Sequence, residues 1–156
     1  MIDSEGYRAN VGIIIMNDAG KVFFGKRIGQ QAWQFPQGGI DEGESPEEAM
    51  YRELYEEVGL KPEAVEFIAR TENWLRYDIP ERLIRKRAFP RCIGQKQIWF
   101  LLKMLVDDEA ISLFENDPAE FDAWEWVNKE YPQTQVIDFK QMVYQTALTE
   151  LSAHFN

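Results

Sequence analysis

The sequence predicts an α/β fold, with helices layered on a mixed β-sheet. Three observations carry this: β-branched and aromatic runs that recur along the chain with turn signals between them, a strongly capped helix in the middle, and a second long helical pattern near the end.

The elements follow in order. Val11 to Met16 is apolar and β-branched, Asn17-Asp18-Ala19-Gly20 is a turn, and Lys21 to Lys26 is a second strand, so 11–26 is a hairpin. Trp33-Gln34-Phe35 alternates and stops at Pro36, and Gln37-Gly38-Gly39 is expected as a loop. Ser45-Pro46-Glu47-Glu48 starts a helix: Ser45 caps, Pro46 suits the first helical position, and Glu48 stands where a capping box needs its carboxylate. The helix runs to Val58 with Gly59 as its stop, and Met50, Leu54 and Val58 form its buried stripe.

Val65 to Leu75 and Gln97 to Val106 are expected strands, joined by a long exposed connection with Pro80, Pro90 and many arginines. Acidic loops at 107–109 and 115–120 precede Phe121 to Val127, whose alternation marks a half-buried strand. Asp138 is expected to cap a last helix with Met142, Val143, Leu148, Leu151 and Phe155 on its apolar side. No linker interrupts the pattern, so 1–156 is expected to be one domain.

Composition narrows the function. The chain has 156 residues, formal charge −10, one cysteine and one histidine. Such acidity disfavours non-specific binding to long nucleic acid, which requires many phosphates to be neutralised together. Cys92 alone excludes an intramolecular disulfide, and with His154 alone, His-based metal sites and Ser-His-Asp triads are improbable. The longest apolar stretch, 98–106 with Lys103 inside it, is too short to span a membrane, and the first residues carry no apolar block. A cytoplasmic monomer without membrane or disulfide partners is therefore expected. The average charge conceals a division: ten acids against two basic residues from Asp41 to Glu66, and six basic residues with no acid from Arg82 to Lys96. Two solvated faces would explain this; so would a cation-binding cluster beside a basic rim.

Helix geometry sharpens the choice. Glu56 and Glu57 lie three and four residues beyond Glu53, so the three carboxylates share a face and repel, by a few tenths of a kcal/mol per pair. Alone, such a triplet is more often a solvated acidic face. Gly38-Gly39 changes the balance, because that backbone can approach a metal or phosphate unhindered. Oxygen ligands of this kind suit Mg²⁺ or Mn²⁺. A strongly anionic polyphosphate would also need cationic and polar grips, for which Arg8, Arg27, Gln95, Lys96 and Lys140 are candidates.

From 38 to 60 the chain resembles the Nudix box: Gly38, Glu44, Arg52-Glu53-Leu54, Glu56-Glu57 and Gly59-Leu60 stand at the spacing of that motif. The resemblance implies an α/β/α sandwich with a central mixed β-sheet and a loop–helix–loop metal site. Glu53, Glu56 and Glu57 would be catalytic metal ligands, assisted by the Gly38 carbonyl, with Glu120 completing the site and Glu44 pairing structurally with Arg52. Either Glu53 or Glu120 would take the proton from the attacking water. Flanking blocks, among them 7–12, 33–39, 73–77, 92–97 and 120–127, resemble the branch of the family that acts on 5′-triphosphate RNA ends, close to the dinucleoside polyphosphate hydrolases. Arg27 and Phe139 resemble a base-sandwiching pair of that branch, and Trp33 and Tyr77 are expected in the same cleft. Two alternatives stay open: cleavage of dinucleoside polyphosphates, and a Nudix-fold module that binds nucleotide without cleaving it.

Overall fold

The computed structural model describes residues 1–85 and 90–155. Strands β1 (Tyr7–Met16) and β2 (Val22–Arg27) form the expected hairpin, with β1 beginning four residues earlier than its apolar run. β3 (Trp33–Gln34) pairs with β2. Gln37–Gly39, expected as a loop, is instead a strand, β4, with Gly38 opposite Val11 and Gly39 opposite Asn10. Its backbone pairing to β1 continues on both sides, from Ile13 N to the Pro36 carbonyl and from Ile40 N to that of Ala9. This ladder depends on backbone groups alone, so side-chain patterning does not report it.

α1 (Pro46–Val58) follows as expected. Ser45 and Glu48 complete both hydrogen bonds of the capping box, and Gly59 ends the helix at φ 76°. The expected strand at 65–75 is two strands, β5 (Val65–Arg70) and β6 (Leu75–Asp78), both antiparallel to β7 (Gly94–Met104). The break falls where a side chain enters the ladder. At Thr71 the side-chain hydroxyl accepts from Trp99 N, replacing a backbone rung, and the chain leaves the sheet. Leu105 and Val106, expected within the β7 strand, lie exposed beyond its end. β8 (Phe121–Val127) pairs with β2, with a register shift at Lys26/Arg27. A short helix α2 (Pro132–Gln135), not foreseen, precedes α3 (Asp138–Leu151). Asp138 is the first helical residue rather than the cap; Ile137 holds the cap position and makes no side-chain bond there. Met142 is 72% exposed, so it is not part of the apolar side of α3.

β1 lies parallel to β7 over ten residue pairs, and most other pairings are antiparallel, so the sheet is mixed. Its two faces carry two cores. Val11, Ile13, Ile15, Phe100 and Leu102 pack with Met50, Leu54 and Val58 of α1. Ile14, Met16, Trp99 and Leu101 pack with Val143, Tyr144, Ala147 and Leu151 of α3. This is the α/β/α sandwich expected from the resemblance. Among the described residues, no helix is long and apolar enough to cross a membrane. The basic stretch 82–91 is described only in part: Lys86 and Arg87 lie outside the described residues.

Candidate active site

α1 is held by its first turn and by one arginine. Arg52 Nε donates to Glu44 Oε2 at 2.8 Å and Nη2 to Glu44 Oε1 at 2.9 Å, a two-point grip. Nη2 also donates to the Gly39 carbonyl at 2.8 Å, so the helix is tied to the edge of β4. Nη1 reaches Glu53 at 2.8 Å and Glu56 at 3.2 Å. The Arg52 donors hold the Glu44 carboxyl down to about 2. Gly38 permits the close approach of Glu53: a Cβ there would overlap the Glu53 carboxylate and displace it.

The three glutamates have unequal surroundings. Glu56 is partly exposed, whereas burial pushes the Glu53 carboxyl above its ordinary range against the pull of Arg52. Glu57 is only 4% exposed. Burial, then the charges of Glu53 and Glu120, push its carboxyl well above the usual range. Both of its oxygens are buried without a hydrogen-bond partner among the described residues. Its neighbour Glu53 is also an acceptor, so the pair lacks a positive species between them. A hard divalent cation fits this requirement, since every donor is an oxygen. Among the described residues no three acidic, histidine or cysteine side chains stand together in ligating geometry. Arg52 meanwhile pairs with both Glu53 and Glu56.

The α3 face of the sheet supplies a second group. The register shift at Lys26/Arg27 sets Arg27 beside the start of β8, where its Nε lies 3.6 Å from Glu120. Lys140 is buried, with Nζ 3.3 Å from Gln34 Oε1 and 5.8 Å from the centre of the Tyr77 ring. Burial, then the charge of Arg27, lowers its ammonium to about 8, with Glu120 opposing. Tyr77 packs against Phe139 with ring centres 5.8 Å apart. Gln95 stands opposite Tyr77 on one side and Arg8 on the other, and its Oε1 is buried without a partner among the described residues. Arg8, Arg27, Tyr77, Gln95, Phe139 and Lys140 are thus distributed around one end of the sheet.

One expected grip, Lys96, and one expected cleft residue, Trp33, are placed elsewhere. Lys96 lies on the α1 face of β7, opposite to Gln95, because side chains alternate along a strand. Its Nζ pairs with Asp3 at 3.0 Å and sits 4.9 Å from the centre of the Trp74 ring. Trp33 packs near Phe24 and lines a separate hollow with Gln31, Glu125, Tyr131 and Gln135. Sequence reasoning missed Gln34 and Gln37. Gln34 holds Lys140, and Gln37, at the start of β4, has a buried Oε1 with no partner among the described residues. The available signal was a glutamine on either side of Phe35-Pro36, in a stretch otherwise bound for the core.

Comparison with known proteins bears on the family and the fold. The NUDIX domain profile matches residues 6–143. The chain is 57% identical over 156 residues to an RNA pyrophosphohydrolase of Hydrogenovibrio crunogenus, covering 100% of this chain and 94% of that one. It is 60% identical over 151 residues to an RNA pyrophosphohydrolase of Acinetobacter baylyi, covering 97% and 91%. Among solved structures, the E. coli dihydroneopterin triphosphate pyrophosphohydrolase superposes with a TM-score of 0.69 at 21% identity, over 90% of this chain and 95% of that one. A C. elegans Ap4A hydrolase superposes with a TM-score of 0.67 at 19% identity, over 95% and 99%.

Proposed function

The chain belongs to the Nudix family, and from that premise we infer that it is an RNA pyrophosphohydrolase: a hydrolase that converts the 5′-triphosphate end of RNA to a 5′-monophosphate with release of pyrophosphate. The near full-length identity to relatives of that name supports the substrate. The observation that carries the chemistry is Glu57, a buried carboxylate with no hydrogen-bond partner for either oxygen among the described residues, set beside the charge of Glu53. Residues 1–156 act as one catalytic domain, in the cytoplasm, and the product is an RNA end open to decay.

Mg²⁺ or Mn²⁺, held by Glu53, Glu56, Glu57, Glu120 and the Gly38 carbonyl, would supply charge neutralisation along the phosphate chain and polarisation of the attacking water. The protein side chains do the rest. Arg52 and Glu44 fix the helix against β4 so that the glutamates keep their spacing. Arg8, Gln95 and Lys140 bind phosphate oxygens, with Gln34 and Tyr77 orienting the Lys140 ammonium. Arg27 and Phe139 flank the first bases by stacking, worth ~1–3 kcal/mol per base. Glu53 or Glu120 holds the proton given up by water. Only the first nucleotides need be held, so a net charge of −10 is compatible with an RNA substrate.

The test compares wild type and Glu53→Gln on end-labelled triphosphate RNA with Mg²⁺, resolving pyrophosphate from phosphate. A loss of at least ~10²-fold is expected, the scale of a missing general base. An unchanged rate would overturn the assignment of Glu53. The kcat/KM ratio between this RNA and a dinucleoside polyphosphate decides which substrate the enzyme prefers.

A further inference from the structure

We propose that the hollow lined by Phe24, Trp33, Tyr131 and Glu125 receives an organic cation, an alkylguanidinium or alkylammonium head group. The hollow is separate from the glutamates of α1, and this inference does not depend on the substrate assigned above.

Three aromatic rings and one carboxylate build it. Phe24, fully buried, is the floor. The Trp33 ring centre lies 5.8 Å from that of Phe24 at 32°, and the Tyr131 ring centre 6.2 Å away at 83°. The Trp33 and Tyr131 rings thus both pack on Phe24 and line the hollow beside it, with Tyr131 44% exposed at the rim. Glu125 stands directly opposite Phe24 in the β2–β8 pairing. Gln31 and Gln135 complete the lining and offer amide carbonyls to N–H donors.

Charge selects the occupant. Glu125 makes no ion pair among the described residues, while the neighbouring cations are engaged: Lys26 with Asp122 at 2.8 Å and Arg27 with Glu120 at 3.6 Å. Aromatic faces attract cations through their quadrupole, and most strongly where water is displaced. Trp33 and Tyr131 can offer such faces here, with Phe24 buried beneath them, and the Glu125 carboxylate adds direct attraction to the same charge. A nucleotide would place its phosphate beside Glu125 with no cation in the lining to offset it.

Volume agrees. The hollow has about 220 Å³, below the ~300–1,000 Å³ typical of sites that take a whole small-molecule ligand. It suits one head group and its alkyl stem. That chemistry has two sources, the arginine or lysine side chain of a polypeptide and a free polyamine.

The experiment follows the indole N–H signals of the full-length protein by NMR, with Trp33 assigned through Trp33→Phe. The probes are acetyl-arginine amide in a short capped peptide, spermidine, the citrulline counterpart of that peptide, and AMP. The Trp33 signal should move saturably with either cationic probe, in the millimolar range or roughly tighter. Tighter binding of the arginine peptide identifies a polypeptide source; tighter binding of spermidine identifies a polyamine. Glu125→Gln should weaken binding roughly fivefold, the scale of one exposed ion pair. Tyr131→Ala should abolish it, and both variants should keep wild-type turnover of triphosphate RNA. No movement of Trp33 with either cation overturns the proposal. So does an equal response to citrulline, a stronger response to AMP, or binding unaffected by Glu125→Gln.

Discussion

Glu57 shares the buried face of α1 with Met50, Leu54 and Val58, yet it is a carboxylate. Its raised pKa has a definite sign in stability. A group bound more tightly to its proton in the folded state contributes fully below its unfolded pKa, and the contribution is lost as pH rises through the folded value. Metal-free protein should therefore melt at lower temperature as pH rises above the unfolded carboxyl range. Glu57→Gln should flatten that slope and raise the melting temperature in EDTA at neutral pH, while turnover falls by ~10²-fold or more. Melting curves with and without the substitution decide the point.

Lys140 gives a second prediction at this scale. Its ammonium titrates at about 8 because it is buried and faces Arg27. Below that pH it is charged and can bind phosphate; above it the charge is lost. KM for triphosphate RNA should rise above pH ~8 in wild type, whereas Lys140→Met should show a raised KM without that inflection. A wild-type KM flat across that range would remove Lys140 from the phosphate grips.

Among the elements, α1 matters most, because its two ends are fixed by different means. Gly59 closes the C-terminal end in the left-handed region, where a Cβ would also meet Ser112. The N-terminal end depends on Ser45, Glu48 and the Glu44–Arg52 pair. The Glu44 carboxyl titrates at about 2, below its ordinary 4.5. A depressed pKa contributes stability that is present above the unfolded value and lost as pH falls through the folded one. Wild type should lose this part of its stability between those two values. Glu44→Gln should destabilise by about 1–2 kcal/mol at neutral pH, between the values of exposed and buried ion pairs. The difference should vanish in acid, as urea titrations at several pH values would show.

Taken as a whole, the molecule places two chemistries on the two faces of one sheet. The α1 side brings Glu53, Glu56 and Glu57, the α3 side brings Tyr77, Phe139 and Lys140, and Glu120 acts on Glu57 and Lys140 alike. The repulsion among Glu53, Glu57 and Glu120 predicts a global response to divalent ions. At a Mg²⁺ concentration ~100 times its dissociation constant, binding to the folded state alone adds about 2.7 kcal/mol. For a chain of this size that raises the melting temperature by roughly 5–10 °C. Calorimetry with Mg²⁺ and with EDTA measures it, and Glu57→Gln should abolish most of the shift.

The capped helix, its glycine stop, the hairpin, β8 and the box glutamates were legible in the sequence, because each depends on residues close together in the chain. Capping needs Ser45 and Glu48 three apart, and a shared helix face needs only the spacing of Glu53, Glu56 and Glu57. Tertiary structure alone decided the rest. The β4 ladder, the break at Thr71 and the burial of Glu57 all come from contacts between distant segments. Which face a strand residue occupies changes with a single step of register, and β1 meets β7 across more than eighty residues of chain. Local propensity carries no term for such contacts, so only the assembled sheet determines them.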